Sequence, residues 1–395
     1  MKKILLTSLF AIIGLLFFAL RPDARAQSGL SPLCAALPPA ERASVPECRP
    51  RPAPPKAKTP KAQAPKAKKA PTPKPKVVVA APAVHFVVDQ TGAGDATGIQ
   101  EAIIKAPAGA IIDVNAGTYD GAVLIDKTVT IVGHGNPTIS SSASSSSYST
   151  VTISGDNRTT IEGVTIVGNR SANGLKIEGG NPTITNTTIK LTGDFRSTSS
   201  LRLGLWHVGG SPSFSNLTVD GGGIALFTEG GAPRFEGITV QNARYGVAIA
   251  GNSTARFNGL NIQDIERTAL GTGGTSSPVI ENVAITKSGR GRTMGNNPWP
   301  AVRFIENSNP EISALTVSDF QGIGVSAENN ARGRLRYIRI IGATGNGGAY
   351  AISVRRDARP VMSDTSVQNW GANTKYCEIA AACVGVVINA ATPSR

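Results

Sequence analysis

From about residue 150 onward, apolar and polar positions alternate in a short phrase that keeps returning. It reads Asn181-Pro182-Thr183-Ile184-Thr185-Asn186-Thr187-Thr188-Ile189 in one copy and Ser277-Pro278-Val279-Ile280-Glu281-Asn282-Val283-Ala284-Ile285 in another. Aligned on that phrase, nine copies place Ile161, Ile184, Phe214, Phe235, Phe257, Ile280, Ile312, Leu335 and Met362 in one apolar column. Five residues later stand Ile166, Ile189, Val219, Val240, Ile262, Ile285, Val317, Ile340 and Val367, all of them β-branched. The copies are separated by 21 to 32 residues, a spacing that signals a solenoid.

The residues between the columns decide which solenoid. Three positions before the second aliphatic stand Gly163, Asn186, Asn216, Gly237, Gly259 and Asn282, residue types that tolerate left-handed backbone and so mark a bend. Directly before the second aliphatic runs a polar column of Thr165, Thr188, Thr218, Thr239, Asn261 and Thr316. Alternation over three or four residues is a strand, and no Leu-rich or 3.6-period segment competes with it. Short strands joined by bends in rungs of about 22 residues predict an all-β chain, a single right-handed parallel β-helix.

The opening of this region reads Val87-Val88-Asp89-Gln90-Thr91-Gly92-Ala93-Gly94-Asp95, Ile99-Gln100-Glu101-Ala102-Ile103, Gly117-Thr118-Tyr119 and Val129-Thr130-Ile131-Val132-Gly133. These segments resemble the start of pectin-lyase-like β-helix proteins, the superfamily of pectin esterases and pectate lyases, over roughly residues 85 to 390. The resemblance implies that the Gln-Glu-Ala stretch is a short helix capping the open end, where apolar rungs and strand edges would otherwise meet water. It does not extend to activity. The Gln, paired Asp and Arg-Trp of pectin esterases are missing, as are the Asn-Thr-Asp and Asp-Asp segments of polygalacturonases. Gly133-His134-Gly135 matches a polygalacturonase fragment but lies away from any carboxylate pair. Calcium-dependent lyases need clustered carboxylates, whereas Glu162, Glu236, Glu281 and Glu311 fall about one per rung at outward strand positions. No metal or cofactor is therefore expected.

Charge divides the chain. Residues 1 to 84 hold 15 basic and 3 acidic side chains, and residues 85 to 395 hold 25 and 23, so the net +14 sits almost wholly in the first segment. A nucleic-acid-binding module concentrates its charge on the folded part, so no nucleic-acid partner is expected. Met1-Lys2-Lys3, the apolar run from Ile4 to Leu20 and Ala24-Arg25-Ala26 predict a secretory signal over 1–26, which would act as a membrane anchor if retained. Residues 27–48 form a short Cys-containing segment. Residues 49–84 are a Pro/Lys/Ala-rich linker, disordered and sampling polyproline II, with a reach of about 110 Å. Its lysines would be drawn to anionic envelope polymers. The β-helix domain takes 85–395. In an exported chain, periplasmic or secreted, Cys34 with Cys48 and Cys377 with Cys383 are expected as local disulfides.

Insertions in a solenoid gather on one face that often binds something. The long rungs gain residues at 193–203, 288–300, 342–349 and 369–384, which carry Arg196, Arg202, Arg290, Arg292, Trp299 and Trp370. Trp206-His207 follows the first insertion, and Arg244-Tyr245 and Arg267 occupy matching places in short rungs. Arginine beside aromatic rings suits an acidic sugar, since guanidinium forks a carboxylate and a ring face stacks on a pyranose. A second basic group, Arg332, Arg334, Arg336, Arg339, Arg355, Arg356 and Arg359, forms an anion patch in which 332, 334 and 336 share a strand face. The sequence thus points to an exported β-helix that binds an anionic envelope or extracellular polysaccharide. Two further classes stay open. One is a lyase or epimerase of uronic-acid polymers using Arg244, Tyr245, Arg267 and His207. The other is a structural or protein-interaction module of the envelope.

Overall fold

The structure is a computed structural model describing residues 83–141, 148–169, 172–193, 202–290, 299–342 and 350–368, with the backbone of Lys375–Cys377 and Val386–Asn389. Its strands are parallel throughout and stack in two assemblies of 18 and 11 strands. Each rung crosses three faces. The 18-stranded assembly supplies the first two, and the 11-stranded sheet, from Val123–Ile125 to Lys375–Cys377, supplies the third.

The first apolar column is a true register column. Ile184 pairs with Ile161 and with Phe214, Phe214 with Phe235, Phe235 with Phe257, and the series continues through Ile280, Ile312 and Leu335 to Met362. The second column, Ile166 to Val367, is equally unbroken. A polar residue in either column would leave a desolvated group inside the coil, which is why both are uniformly apolar. Within the first column three phenyl rings stack. Phe214 and Phe235 lie 4.6 Å apart at 5°, and Phe235 and Phe257 lie 4.2 Å apart at 8°.

The bend between the first two faces is left-handed in all nine aligned rungs. Gly163, Asn186, Asn216, Gly237, Gly259 and Asn282 adopt positive φ, and so do Ala314, Tyr337 and Asp364 in the rungs that follow. The asparagines also bond along the corner, Asn216 Nδ2 donating to Asn186 Oδ1 at 3.1 Å and Asn186 Nδ2 to Glu162 Oε1 at 3.3 Å. The third face approaches the second through a column of small residues. A Cβ on Gly204 would sit 2.4 Å from the Ala225 carbonyl and 2.5 Å from Val219 Cγ1, so that rung has room for hydrogen alone.

Helix α1, Ile99–Lys105, closes the N-terminal end as expected. Ile99, Ala102 and Ile103 are buried, and the helix packs against the first strands of the first and third faces. Its N-cap is Gly98, which has no capping side chain, and Glu101 instead takes the Thr97 N–H and pairs with Lys105 Nζ at 2.7 Å. Among the described residues no helix is long and apolar enough to cross a membrane. Cys34, Cys48 and Cys383, with the signal and linker segments, lie outside the described residues, and Cys377 is described in backbone only.

Candidate functional site

The corner from the second face to the third holds the residues singled out in the insertions. Backbone bonds stack them rung on rung. Ile224 N donates to Arg202 O at 3.0 Å, Arg244 N to Gly222 O at 3.1 Å, Arg267 N to Arg244 O at 2.9 Å, and Gly289 N to Arg267 O at 3.1 Å. The Arg267 guanidinium lies 4.6 Å from the Trp299 ring centre and 5.3 Å from that of Tyr245, and its Nη1 donates to the Tyr245 hydroxyl at 2.5 Å. The two rings meet edge to face at 5.9 Å. One cation thus ties three rungs together.

These side chains form a packed knot. Tyr245 is 5% exposed and Trp299 6%, so neither offers a free face to a sugar. Burial raises the Tyr245 phenol above its ordinary range, with Arg267 pulling it partly back. Arg202 is buried as well, which lowers its guanidinium pKa, and its Nη1 has no hydrogen-bond partner among the described residues. Arg267 Nε lies 4.0 Å from Glu266 Oε1, while Glu266 Oε2 is buried without a partner.

His207 lies inside the coil, not on the ligand-facing side expected for it. Leu203, Leu205 and His207 share strand parity, so the imidazole points into the coil at 0% exposure. The Thr228 hydroxyl meets Nδ1 at 2.8 Å, and Nε2 meets the Gly209 carbonyl at 2.5 Å, an arrangement a neutral ring satisfies with Nε2–H as donor. Burial pushes its pKa down to about 4, with the Gly209 contact acting the other way. Trp206 lies on the outside of the third face, with Lys176 Nζ 4.2 Å over its ring. Arg290 is at the surface, paired with Asp319 at 2.6 Å. Arg196, Arg292 and Trp370 lie outside the described residues.

The anion patch divides. Arg355 faces Glu328, and Arg356 Nη1 donates to Asn329 Oδ1 at 2.7 Å. Burial raises the Glu328 carboxyl, but the Arg303 fork at 2.9 and 3.2 Å and the Ser326 hydroxyl outweigh it and hold the group below the usual carboxylate range. Arg332, Arg334, Arg336 and Arg359 are exposed, and none forms an ion pair among the described residues. Arg334 and Arg336 stand on the first face, with Glu311 beside Arg334 and Ser313 beside Arg336 one rung back. Arg332 and Arg359 occupy equivalent places in consecutive rungs, as expected from the repeat.

Another cluster was missed. Asp113 Oδ2 and Oδ1 each lie 2.9 Å from a histidine nitrogen, His85 Nδ1 and His134 Nε2. These contacts, His134 first, hold the Asp113 carboxyl below its usual range. The rung spacing that joins these positions was the available signal, since Asp113 pairs with Val87 and Val132.

Residues 222–391 match the family model described as the right handed beta helix region. The chain folds as a right-handed parallel β-helix. Among solved structures it is similar to the tailspike of Acinetobacter phage vb_AbaP_AS12, with a TM-score of 0.53 and 11% identity over 74% of this chain and 59% of that one. An alginate lyase from Paenibacillus sp. str. FPU-7 gives 0.43 and 11%, covering 70% and 94%. The pectin methylesterase PemA from Erwinia chrysanthemi gives 0.41 and 14%, covering 78% and 95%. At these identities the likeness is one of fold. No curated protein matches the chain in sequence.

Proposed function

We propose that this β-helix is exported and binds an acidic polysaccharide of the envelope or its surroundings, and that the linker of residues 49–84 acts as spacer. The observation that carries the reading is the group Arg332, Arg334, Arg336 and Arg359, exposed and without ion pairs on adjacent rungs. Clustered cations that repel one another cost stability unless a polyanion lies across them, and guanidinium suits carboxylate better than ammonium does. The Arg244–Tyr245–Arg267–Trp299 corner supports the rungs rather than the ligand in this reading, because its rings are buried. His207, inside the coil and neutral, does not face a ligand there, which counts against the lyase or epimerase reading.

Affinity electrophoresis of the full chain in gels carrying polygalacturonate, alginate or neutral dextran tests the proposal. Retardation by the two uronate polymers, weakening as salt is raised, is expected. Equal migration in all gels contradicts it.

A further inference from the structure

The strand Arg334–Ile341 carries an aromatic residue where the repeat asks for something else. Tyr337 occupies the left-handed bend with φ of 57° and is 66% exposed. The same bend is Gly or Asn in six earlier rungs, Ala at 314 and Asp at 364. A bulky residue with positive φ is strained, and such strain persists where the surroundings hold it for a purpose other than stability. Tyr337 also has large cations on both sides. Arg334 and Arg336 point outward on the first face and Arg339 outward on the second, all exposed, with Arg339 Nη2 donating to Gln368 Oε1 at 3.0 Å. A strand rise of about 3.3 Å puts Arg334 and Arg336 roughly 6.6 Å apart on the first face, and the Tyr337 ring follows at the corner, before Arg339.

We infer that Tyr337 is the stacking platform of a uronate-binding ridge that runs along this strand. It rests on the reading of the chain as an acidic-polysaccharide binder and says where the sugar sits. One pyranose lies flat on the Tyr337 ring, while Arg336 and Arg339 fork the carboxylates of the sugars on either side. Arg332 and Arg359 extend the positive track behind Arg334. Ala314 lies one rung back at the same bend and is small enough to leave the rear face of the ring open. Asp364, one rung ahead, is a hydroxyl acceptor and repels a second acidic group, so the track has one direction.

The test uses the full chain and fluorescently labelled polygalacturonate, with neutral dextran and single-stranded DNA as comparison probes. Tyr337→Asn places at the bend the residue found there in three other rungs, so the fold is kept, and urea unfolding checks this. It is expected to weaken uronate binding about tenfold, as loss of an aromatic anchor does. Arg336→Gln and Arg339→Gln should each cost about three- to tenfold and flatten the salt dependence. Wild-type binding that survives all three substitutions overturns the ridge and leaves the general reading standing. DNA bound as tightly as the uronate polymer, with the same losses, also overturns it, since the surface would then recognise charge without sugar. No binding of any polysaccharide by the wild type removes both.

Discussion

Replacing Phe235 by Ala removes the middle ring of the three-phenyl stack and leaves its neighbours facing a void. The side chain is 2% exposed, and so are Phe214 below it and Phe257 above. Truncating a buried Phe costs about 3–5 kcal/mol in lost transfer energy and residual cavity. Two nearly parallel ring contacts, at 4.6 and 4.2 Å, place the cost toward the upper end. In a solenoid each rung touches only its neighbours, so the loss cannot be shared across a larger core. Urea unfolding with an unchanged m-value reads the effect directly, and the melting temperature should fall on the order of 10 °C. Double-mutant cycles sharpen the test. The Phe214/Phe235 and Phe235/Phe257 pairs should couple by about 0.5–1.5 kcal/mol, while Phe214/Phe257, a rung further apart, should add within about 0.5 kcal/mol. A cost for Phe235→Ala under about 1.5 kcal/mol, or equal coupling in all three pairs, would refute the stacking argument.

Ala314→Asn should raise stability by about 1 kcal/mol in the same urea assay, because Asn enters the left-handed region with little strain and Ala does not; no gain would mean that the bend relaxes around Ala314. His207 makes the domain acid-labile. Its folded pKa of about 4 lies below the ordinary 6.5, so the unfolded chain binds the proton first and stability falls as pH drops from 6.5 toward 4. The loss is on the order of 3 kcal/mol, and a histidine resonance of the folded protein that titrates only near pH 4 is the expected signature; all imidazoles titrating near 6.5 would contradict it. Glu328→Ala removes the carboxylate that takes the Arg303 fork and should cost about 2–3 kcal/mol, less than a fully buried pair because both side chains keep some solvent contact. Arg267→Ala should destabilise the rungs around Trp299 without weakening uronate binding, whereas a parallel loss of binding would return the corner to the ligand site.

The columns were legible in the sequence because packing allows them no freedom. A one-residue slip would turn Phe257 or Ile280 to solvent, so periodicity alone placed all nine rungs in register. The bend was legible only as far as Asn282. Beyond it the same left-handed geometry falls on Ala314 and Tyr337, whose residue types give no warning of positive φ, and on Asp364. The site was read less well for a related reason. Arginines and rings adjacent in sequence or at matching rung positions can face a ligand or one another, and composition does not distinguish the two. Arg267 turned out to face Tyr245 and Trp299. For His207 the signal is the parity it shares with Leu203 and Leu205, opposite to that of its neighbour Trp206.

The most direct test of the central claim is an arginine footprint. The full chain is treated with an arginine-selective dicarbonyl reagent with and without saturating polygalacturonate, and the modified residues are read by mass spectrometry. Arg332, Arg334, Arg336 and Arg359, exposed and without ion pairs, should react readily alone and be protected by the acidic polymer but not by neutral dextran, while buried Arg202 stays inert throughout. Unchanged modification of these four residues in the presence of the polymer would contradict the account.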